Sequence, residues 1–459
     1  MEQSETKVEE VKAEKQRQIV AAIDIGTTKI VAIIGEKDDE GKLIVLGMGK
    51  AESLGVKRGV VQNIDRTISS IKKAVELAQN AAGVEIEEVF VGIAGQHVRS
   101  MKNRGYILRE SLEDEITRED INRLVSDMYK LPVNSGEEIL HVLPQSYIVD
   151  EEFDVEPIGM HGKKLEGNFH IVVGQITSAK NIKKCINKAG LKNRDLILEP
   201  IASSYAVLSD DEKEVGVVMV DIGGGTTDIA IYNDKKIIHT AVIPFGGDVI
   251  TKDIKKELGI VENDAEKLKK AHGSALPEAV NPNSFITIKG ISNRPNKEIS
   301  QRLVAEIINA RMNEIIGAIE FQIEQTGVAK KLSAGIVLTG GGAQLSHLRQ
   351  LMAFKTGLEI RIGHPNKLLV TDLGEELNHT MYSTSVGLLL KGFDVVDDKV
   401  IINNVWDKAE VEKEPKEELI SEEEDKKEKK KKEEKKGPSI GFRIKDRLMD
   451  LLIDKDQEF

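Results

Sequence analysis

The sequence predicts a two-lobed α/β protein in which one supersecondary unit is used twice around a cleft. A small α+β module interrupts the first lobe, and a charged linker ending in an amphipathic helix follows the globular part. Three observations lead there. The unit VAAIDIGTTKIVAII around Asp24 returns as VVMVDIGGGTTDIAI around Asp221. Apolar strands followed by periodic helices recur after each copy, the pattern of an α/β layer. Beyond Lys408 the composition turns almost wholly to Glu, Lys and Asp, then reverses after Gly437-Pro438.

Composition narrows the function. The chain has 459 residues, 40% apolar, with 65 basic and 77 acidic residues and a net charge of −12. Phosphate backbones need a basic surface, so nucleic acid is not expected as a partner. The single cysteine, Cys185, shares a helical face with Ile182, Ile186 and Ala189 and reads as a structural thiol in a reducing compartment. Residues 1–18 are polar, without the apolar core of a signal peptide, and are expected as a disordered tail. No stretch approaches the ~20 apolar residues of a membrane span, so a cytosolic location is expected.

In chain order, Ile19–Ile25 and Thr28–Ile34 read as strands around Gly26-Thr27, with a third strand at Leu43–Met48. Ile64, Ile68, Ile71, Val75, Ala78 and Ala82 then mark a helix capped by Asn63 and ended by Gly83. Glu88–Ala94 and Arg104–Arg109 read as strands. Thr117 with Asp120 opens a helix by a capping box, and strands follow near Glu138–Leu143 and Gln145–Asp150. This stretch, residues 87–167, is the inserted module. The main sheet is expected to resume at Phe169–Thr177, followed by a helix at Ala179–Ala189, a strand ending at Glu199, a helix from Ala202 and a polar loop at Asp210–Glu214. Val215–Val220 opens the second copy, with a hairpin turn at Asn233-Asp234. Helices follow at Gly247–Leu258 and Glu262–Lys270, then a long one from about Glu298 to Thr326. A strand at Ile336–Thr339 and a helix at Met381–Leu390 close the fold. The expected domains are residues 19–86 with 168–235 and a returning 380–398 as the first lobe, and 236–379 as the second. A linker (399–437) and a terminal helix (438–459) follow.

The chemistry sits in the turns. Glycine removes the Cβ that blocks close backbone approach, threonine adds hydroxyl donors, and successive N–H groups can converge on anionic oxygens. Asp24 and Asp221 end their strands, where carboxylates can hold Mg²⁺ through its waters. One such loop is an ordinary hairpin; two, each opening a lobe, are not. Neither a P-loop lysine motif nor a GxGxxG fingerprint is present.

The paired loops resemble the phosphate motifs of the actin, sugar-kinase and heat-shock-chaperone superfamily. VLTGGGAQL (337–345) is similar to its adenosine motif, LEPIASSYAVL (198–208) and YSTSVGLLL (382–390) to its two connecting helices, and AEKLK (265–269) to its ribose-and-base segment. Within it, GVKRGVVQNID (55–65), VGIAGQH (91–97), LEPIAS, VDIGGGTTDIAI and FGGDVITKDI (245–254) resemble the FtsA family of bacterial cell-division proteins. In that family a module follows the first helix, as here. The resemblance implies an actin-like fold of duplicated ribonuclease-H-like domains, with ATP and Mg²⁺ as cofactors. Asp24 and Asp221 would serve Mg²⁺. Gly26, Thr27, Thr28 and Lys29 would face the β-phosphate, and Gly223, Gly224, Gly225, Thr226 and Thr227 the γ-phosphate. Glu266, Lys269, Gly340, Gly341 and Gly342 would bound the adenosine. Glu199 takes the place that positions the attacking water; a salt-bridging role for this carboxylate is the alternative.

In the tail, a tether of about 29 residues would span about 30 Å. Beyond it Ile440, Phe442, Ile444, Leu448, Leu451 and Leu452 share the apolar sector of a helical wheel, as in an in-plane membrane helix or a partner-docking helix. Residues 439–459 carry four basic and five acidic residues, so attraction to anionic lipid would come from the upstream lysines. The resemblance implies a peripheral membrane protein at the division septum, on the cytoplasmic face of the inner membrane. It would polymerise, bind the tubulin-like ring protein FtsZ on its second lobe and recruit further division proteins. Any ATPase activity would be slow. The alternatives are a small-molecule kinase and a pilus-assembly protein on the same core.

Overall fold

The structure is a computed structural model that describes residues 18–397, apart from 39–41, 111–112, 154–155, 291, 293, 366–368 and 371–373. The linker and the helix expected at Ile440–Leu452 lie outside the described residues.

Two sheets repeat one topology. In the first, Ile19–Ile25 pairs antiparallel with Lys29–Lys37, which pairs with Leu43–Glu52; on its other side it runs parallel to Glu88–Ile93, which neighbours Lys192–Leu198. In the second, Val217–Ile222 takes the place of Ile19–Ile25, with Thr227–Asn233 and Lys236–Ile243 on one side and Ile336–Thr339 and Ile360–Ile362 on the other. The sequence repeat around Asp24 and Asp221 is therefore a repeat of strand order as well. Both lobes are α/β, and the central strands are buried nearly end to end, as strands covered on two faces must be.

Between them sits a four-stranded sheet of Arg99–Leu108, Lys164–Gln175, Glu137–Val149 and Glu152–Phe153. The helix Arg118–Met128 covers one face. It is opened by the expected Thr117–Asp120 capping box and buries Leu124 and Met128 against Ile107, Leu165 and Phe169.

Pairing redraws several sequence boundaries. Glu88–Ile93, read as the first strand of the insert, is a central strand of the first lobe. Phe169–Gln175, read as main sheet, completes a strand that begins at Lys164 inside the insert. Val217–Ile222 and Thr227–Asn233, grouped with residues 168–235 in the first lobe, belong to the second sheet. An apolar run shows that a strand is buried but not which strand it pairs with. The two strands read around residue 144 form one, Glu137–Val149, with a register shift there. The loop at 210–214 is a short helix capped by Ser209 and Glu212. The hairpin turn falls one residue later than read, with Asp234 and Lys235 both at positive φ.

Helix 64–82 has the caps read from sequence: the Asn63 side chain accepts the Arg66 N–H, and Gly83 adopts φ 67°. Two hinge helices, Glu199–Val207 and Ser383–Val396, join the lobes. They cross at Gly387, where a Cβ would lie 1.8 Å from the Ala202 carbonyl oxygen. Only glycine permits this approach. Cys185 is fully buried, and burial pushes its thiol up to about 11; the geometry is that of a structural thiol.

Candidate functional site

The two glycine loops abut across the cleft. A Cβ on Gly224 would lie 2.4 Å from Thr28 Cγ2, and one on Gly225 would lie 2.4 Å from Thr27 Oγ1. A side chain at Gly224 would meet the Thr28 side chain, and one at Gly225 would meet Thr27 as far in as its Cβ. The second loop is closed by the Gly223 N–H on the Thr226 carbonyl at 2.9 Å. It is backed by the start of helix Gly247–Leu258, whose Gly247 and Asp248 amides donate to the Gly223 and Gly224 carbonyls at 2.9 and 2.8 Å. Thr227 Oγ1 donates to the Phe245 carbonyl at 2.9 Å.

The first loop is supported by the Gly59 N–H on Thr27 Oγ1 at 3.2 Å. A Cβ on Gly59 would lie 2.9 Å from Gly95 Cα, so the GVKRG and VGIAG segments meet backbone to backbone behind this turn. Arg58 reaches across the cleft to the Phe245 ring, 5.9 Å from its centroid. Sequence reasoning did not single out that pair.

Behind the loops lies a cluster of buried acids. Asp24 accepts from Ser385 Oγ at 2.9 Å. Asp221 accepts from Ser203 Oγ at 2.7 Å and Thr384 Oγ1 at 3.1 Å. All three donors lie on the hinge helices, so the helices that join the lobes also orient the two expected metal carboxylates. The antiparallel register sets Asp228 directly opposite Asp221, where the first copy has Val31 opposite Asp24. Asp228 is 4% exposed, and its Oδ1 has no partner. It is the last letter of DIGGGTTD, and nothing along the chain says that it faces Asp221.

Glu199, expected at a strand end, is the first residue of the hinge helix. Pro200 fits that turn because its missing N–H is unpaired there anyway. Burial, with Asp24, Asp228 and Asp221 nearby, holds the Glu199 carboxyl well above its usual range. Burial and then Asp221 push Asp228 up; burial raises Asp221 too, with Asp24 adding to it. The cation among them is Lys29, whose pKa burial lowers despite Asp24 and Asp221. Its Nζ donates to the Met381 carbonyl at 2.6 Å and lies 5.1 Å from the Tyr382 ring centroid, which ties it to the hinge.

This donor set fits Mg²⁺. Among the described residues no three acidic, histidine or cysteine side chains form a closed metal cage. Mg²⁺ is commonly held by one or two carboxylates, waters and substrate phosphates. The crowded carboxylates and the orphaned Asp228 oxygen call for positive charge.

On the second lobe, Gly340 (φ 85°) needs glycine because a Cβ would lie 2.2 Å from Asp221 Oδ1, and one on Gly342 would lie 2.3 Å from Ile222 Cγ2. Gly341 has no atom within 4 Å of its would-be Cβ. Lys269 Nζ bonds the Gly247 carbonyl at 2.9 Å, Thr251 Oγ1 at 2.7 Å and Glu266 at 2.6 Å. The structure thus brings Glu266 and Lys269 to the helix that backs the second glycine loop.

Comparison with known proteins decides the family. Residues 218–387 match the family model "Cell division protein FtsA", and residues 95–173 match "SHS2 domain inserted in FTSA". The FtsA of Pseudomonas aeruginosa is 38% identical over 83% of this chain and 90% of its own. The chain belongs to the FtsA family. FtsA of Neisseria meningitidis is 38% identical over 82% of the chain and 90% of its own, and that of Escherichia coli K12 is 34% identical over the same shares. The SHS2 match coincides with the insert as the sheet pairing delimits it. Among solved structures, a chain of a PilM-PilN type IV pilus biogenesis complex superposes with TM-score 0.60 at 14% identity, covering 82% of this chain and 99% of that one. MreB5 of Spiroplasma citri bound to ADP gives 0.51 at 15% identity, over 84% and 99%. At such identities the likeness is one of fold, and the fold of this FtsA-family chain is actin-like.

Proposed function

We propose that this FtsA-family protein binds ATP with Mg²⁺ between its lobes, polymerises on the cytoplasmic face of the membrane and tethers the FtsZ ring there. The observation that carries the reading is the meeting of Thr27 and Thr28 with Gly225 and Gly224. It leaves two threonine- and glycine-lined turns aimed at one place, with carboxylates behind them. Asp24 and Asp221 would hold the metal, which supplies positive charge to the phosphates. Loop amides and threonine hydroxyls would bind phosphate oxygens. Glu199, beside Asp24 and Asp228, would orient a water toward the terminal phosphate.

The apolar sector of residues 440–452 would lie in the membrane surface. Each fully buried large side chain contributes roughly 1.5–3 kcal/mol, and interfacial burial is partial, so one copy binds modestly. Head-to-tail assembly multiplies the anchors, and avidity makes attachment stable.

Sedimentation with liposomes in ATP and Mg²⁺ tests this. The full chain is expected in the pellet, and a truncation after Lys436 in the supernatant with unchanged ATP binding. Leu448→Glu with Leu451→Glu should behave like the truncation. Pelleting of either variant at the full-chain level would transfer the anchor elsewhere. Asp221→Ala should lose Mg²⁺-dependent ATP affinity; retention of that affinity would remove the site.

A further inference from the structure

The insert is fastened to the first lobe one residue before Glu199. Lys192–Leu198 is the edge strand of its sheet, with Glu88–Ile93 as its only strand partner among the described residues. Alternate amides of an edge strand point away from the sheet and lack a ladder partner. The last of them, on Leu198, donates to Nε2 of His141 at 3.1 Å, and the contact is buried. His141 lies in Glu137–Val149, the insert strand that also pairs with Lys164–Gln175.

Leu198 is the cap residue of the hinge helix, and no side-chain hydrogen bond caps that helix. The orientation of its amide therefore sets how the helix leaves the strand, and Glu199 is the first residue to leave. An amide donor requires a neutral acceptor nitrogen. Burial, and then Lys391, holds the His141 pKa down to about 4, so Nε2 is free to accept throughout the neutral range.

The same insert sheet grips the second lobe. His170 Nε2 lies 3.0 Å from Thr240 Oγ1, and Ser100 Oγ donates to the Thr240 carbonyl at 3.0 Å. One small rigid sheet thus touches the strand Lys236–Ile243 on one lobe and the residue before Glu199 on the other.

We propose that His141 is a positioning residue through which the insert sets Glu199, so that a load on the insert is read at the terminal-phosphate side of the cleft. The proposal rests on the reading of Glu199 given above. Strain on the insert would move the His141 ring and tilt Leu198, changing the water-orienting carboxylate.

The test uses the full chain as wild type, His141→Phe, His141→Gln and Glu199→Gln. Phenylalanine fills the ring's space without an acceptor; glutamine reaches as far with an acceptor oxygen. If His141→Phe does not fold, His141→Leu replaces it. Three quantities are measured: affinity for a fluorescent ATP analogue with Mg²⁺, single-turnover ATP cleavage, and amide hydrogen exchange in the peptide containing Leu198. His141→Phe is expected to speed that exchange and to slow cleavage about tenfold, with affinity changed less than about twofold. His141→Gln should return both towards wild type. Wild-type cleavage in His141→Phe, an equal loss of affinity and cleavage, or no rescue by glutamine would overturn the proposal. If Glu199→Gln cleaves like wild type, or wild type cleaves nothing, the reading of Glu199 has failed instead. Exchange then decides for His141: unchanged protection of the Leu198 peptide in His141→Phe overturns the contact, and lost protection restored by glutamine upholds it.

Discussion

Asp228 shows how one register position changes a site. Facing Asp221 across the ladder, it places like charges in directly opposed positions, which destabilises a sheet, and both are buried. The folded pKa values of Asp228 and Glu199 are raised, so the folded state binds more protons than the unfolded chain above the ordinary carboxylate range. Their contribution to stability is present at low pH and is lost as pH rises through the folded values. The thermal midpoint of the nucleotide-free protein should fall with rising pH from this cause, and ATP with Mg²⁺ should flatten the slope. Asp228→Asn should make the slope shallower and raise the midpoint at pH 7.5 by on the order of 2 °C. An unchanged profile would place the strain elsewhere. The glycines of 340–342 divide in the same manner. Gly341→Val has open space around it and should keep the wild-type midpoint while losing ATP affinity. Gly342→Val meets Ile222 and should lose stability first. Calorimetry beside an ATP titration separates the two.

Among the elements, the helix at 64–82 was legible to the residue because Asn63 and Gly83 act on their own backbone neighbours. The hinge helices were legible as helices but not as ligand-orienting devices. Ser203, Thr384 and Ser385 are small polar residues in apolar segments, and nothing along the chain says that they meet Asp221 and Asp24. Their crossing leaves no room for a side chain at Gly387. Gly387→Ala must separate two helices whose backbones nearly touch, at a cost of about 1–3 kcal/mol. A lowered unfolding midpoint together with weakened ATP binding is expected. Loss of stability alone would show that the helices can part without opening the cleft.

At the scale of the whole molecule, the insert is both a separate core and a brace. Its first and last long strands pair at their ends, Arg99 with Val173, so its two connections to the first lobe lie side by side. Replacing residues 95–173 by a short linker should therefore leave a folded, ATP-binding protein that no longer forms filaments on lipid by electron microscopy. Removing residues 87–167 should not fold at all, since it takes out the central parallel strand Glu88–Ile93 and the first four residues of Lys164–Gln175. Normal filaments after the first excision would reassign the insert to partner recruitment.

Features that act locally or repeat can be read along the chain. The strand–turn–strand unit is written twice, the caps and turn glycines answer to neighbouring backbone, and the change of composition at Lys408 needs no partner to be read. From these came the two lobes, the glycine loops with Asp24 and Asp221, and the likeness to FtsA. Features that depend on two distant segments meeting emerge in the folded chain alone. Folding puts Glu88–Ile93 in the first sheet, sets Asp228 against Asp221, brings Lys29 to the hinge and lodges His141 on the amide before Glu199. The reason is that burial and periodicity are properties of a segment, whereas pairing register and side-chain partners are chosen by competition among all segments of the folded chain.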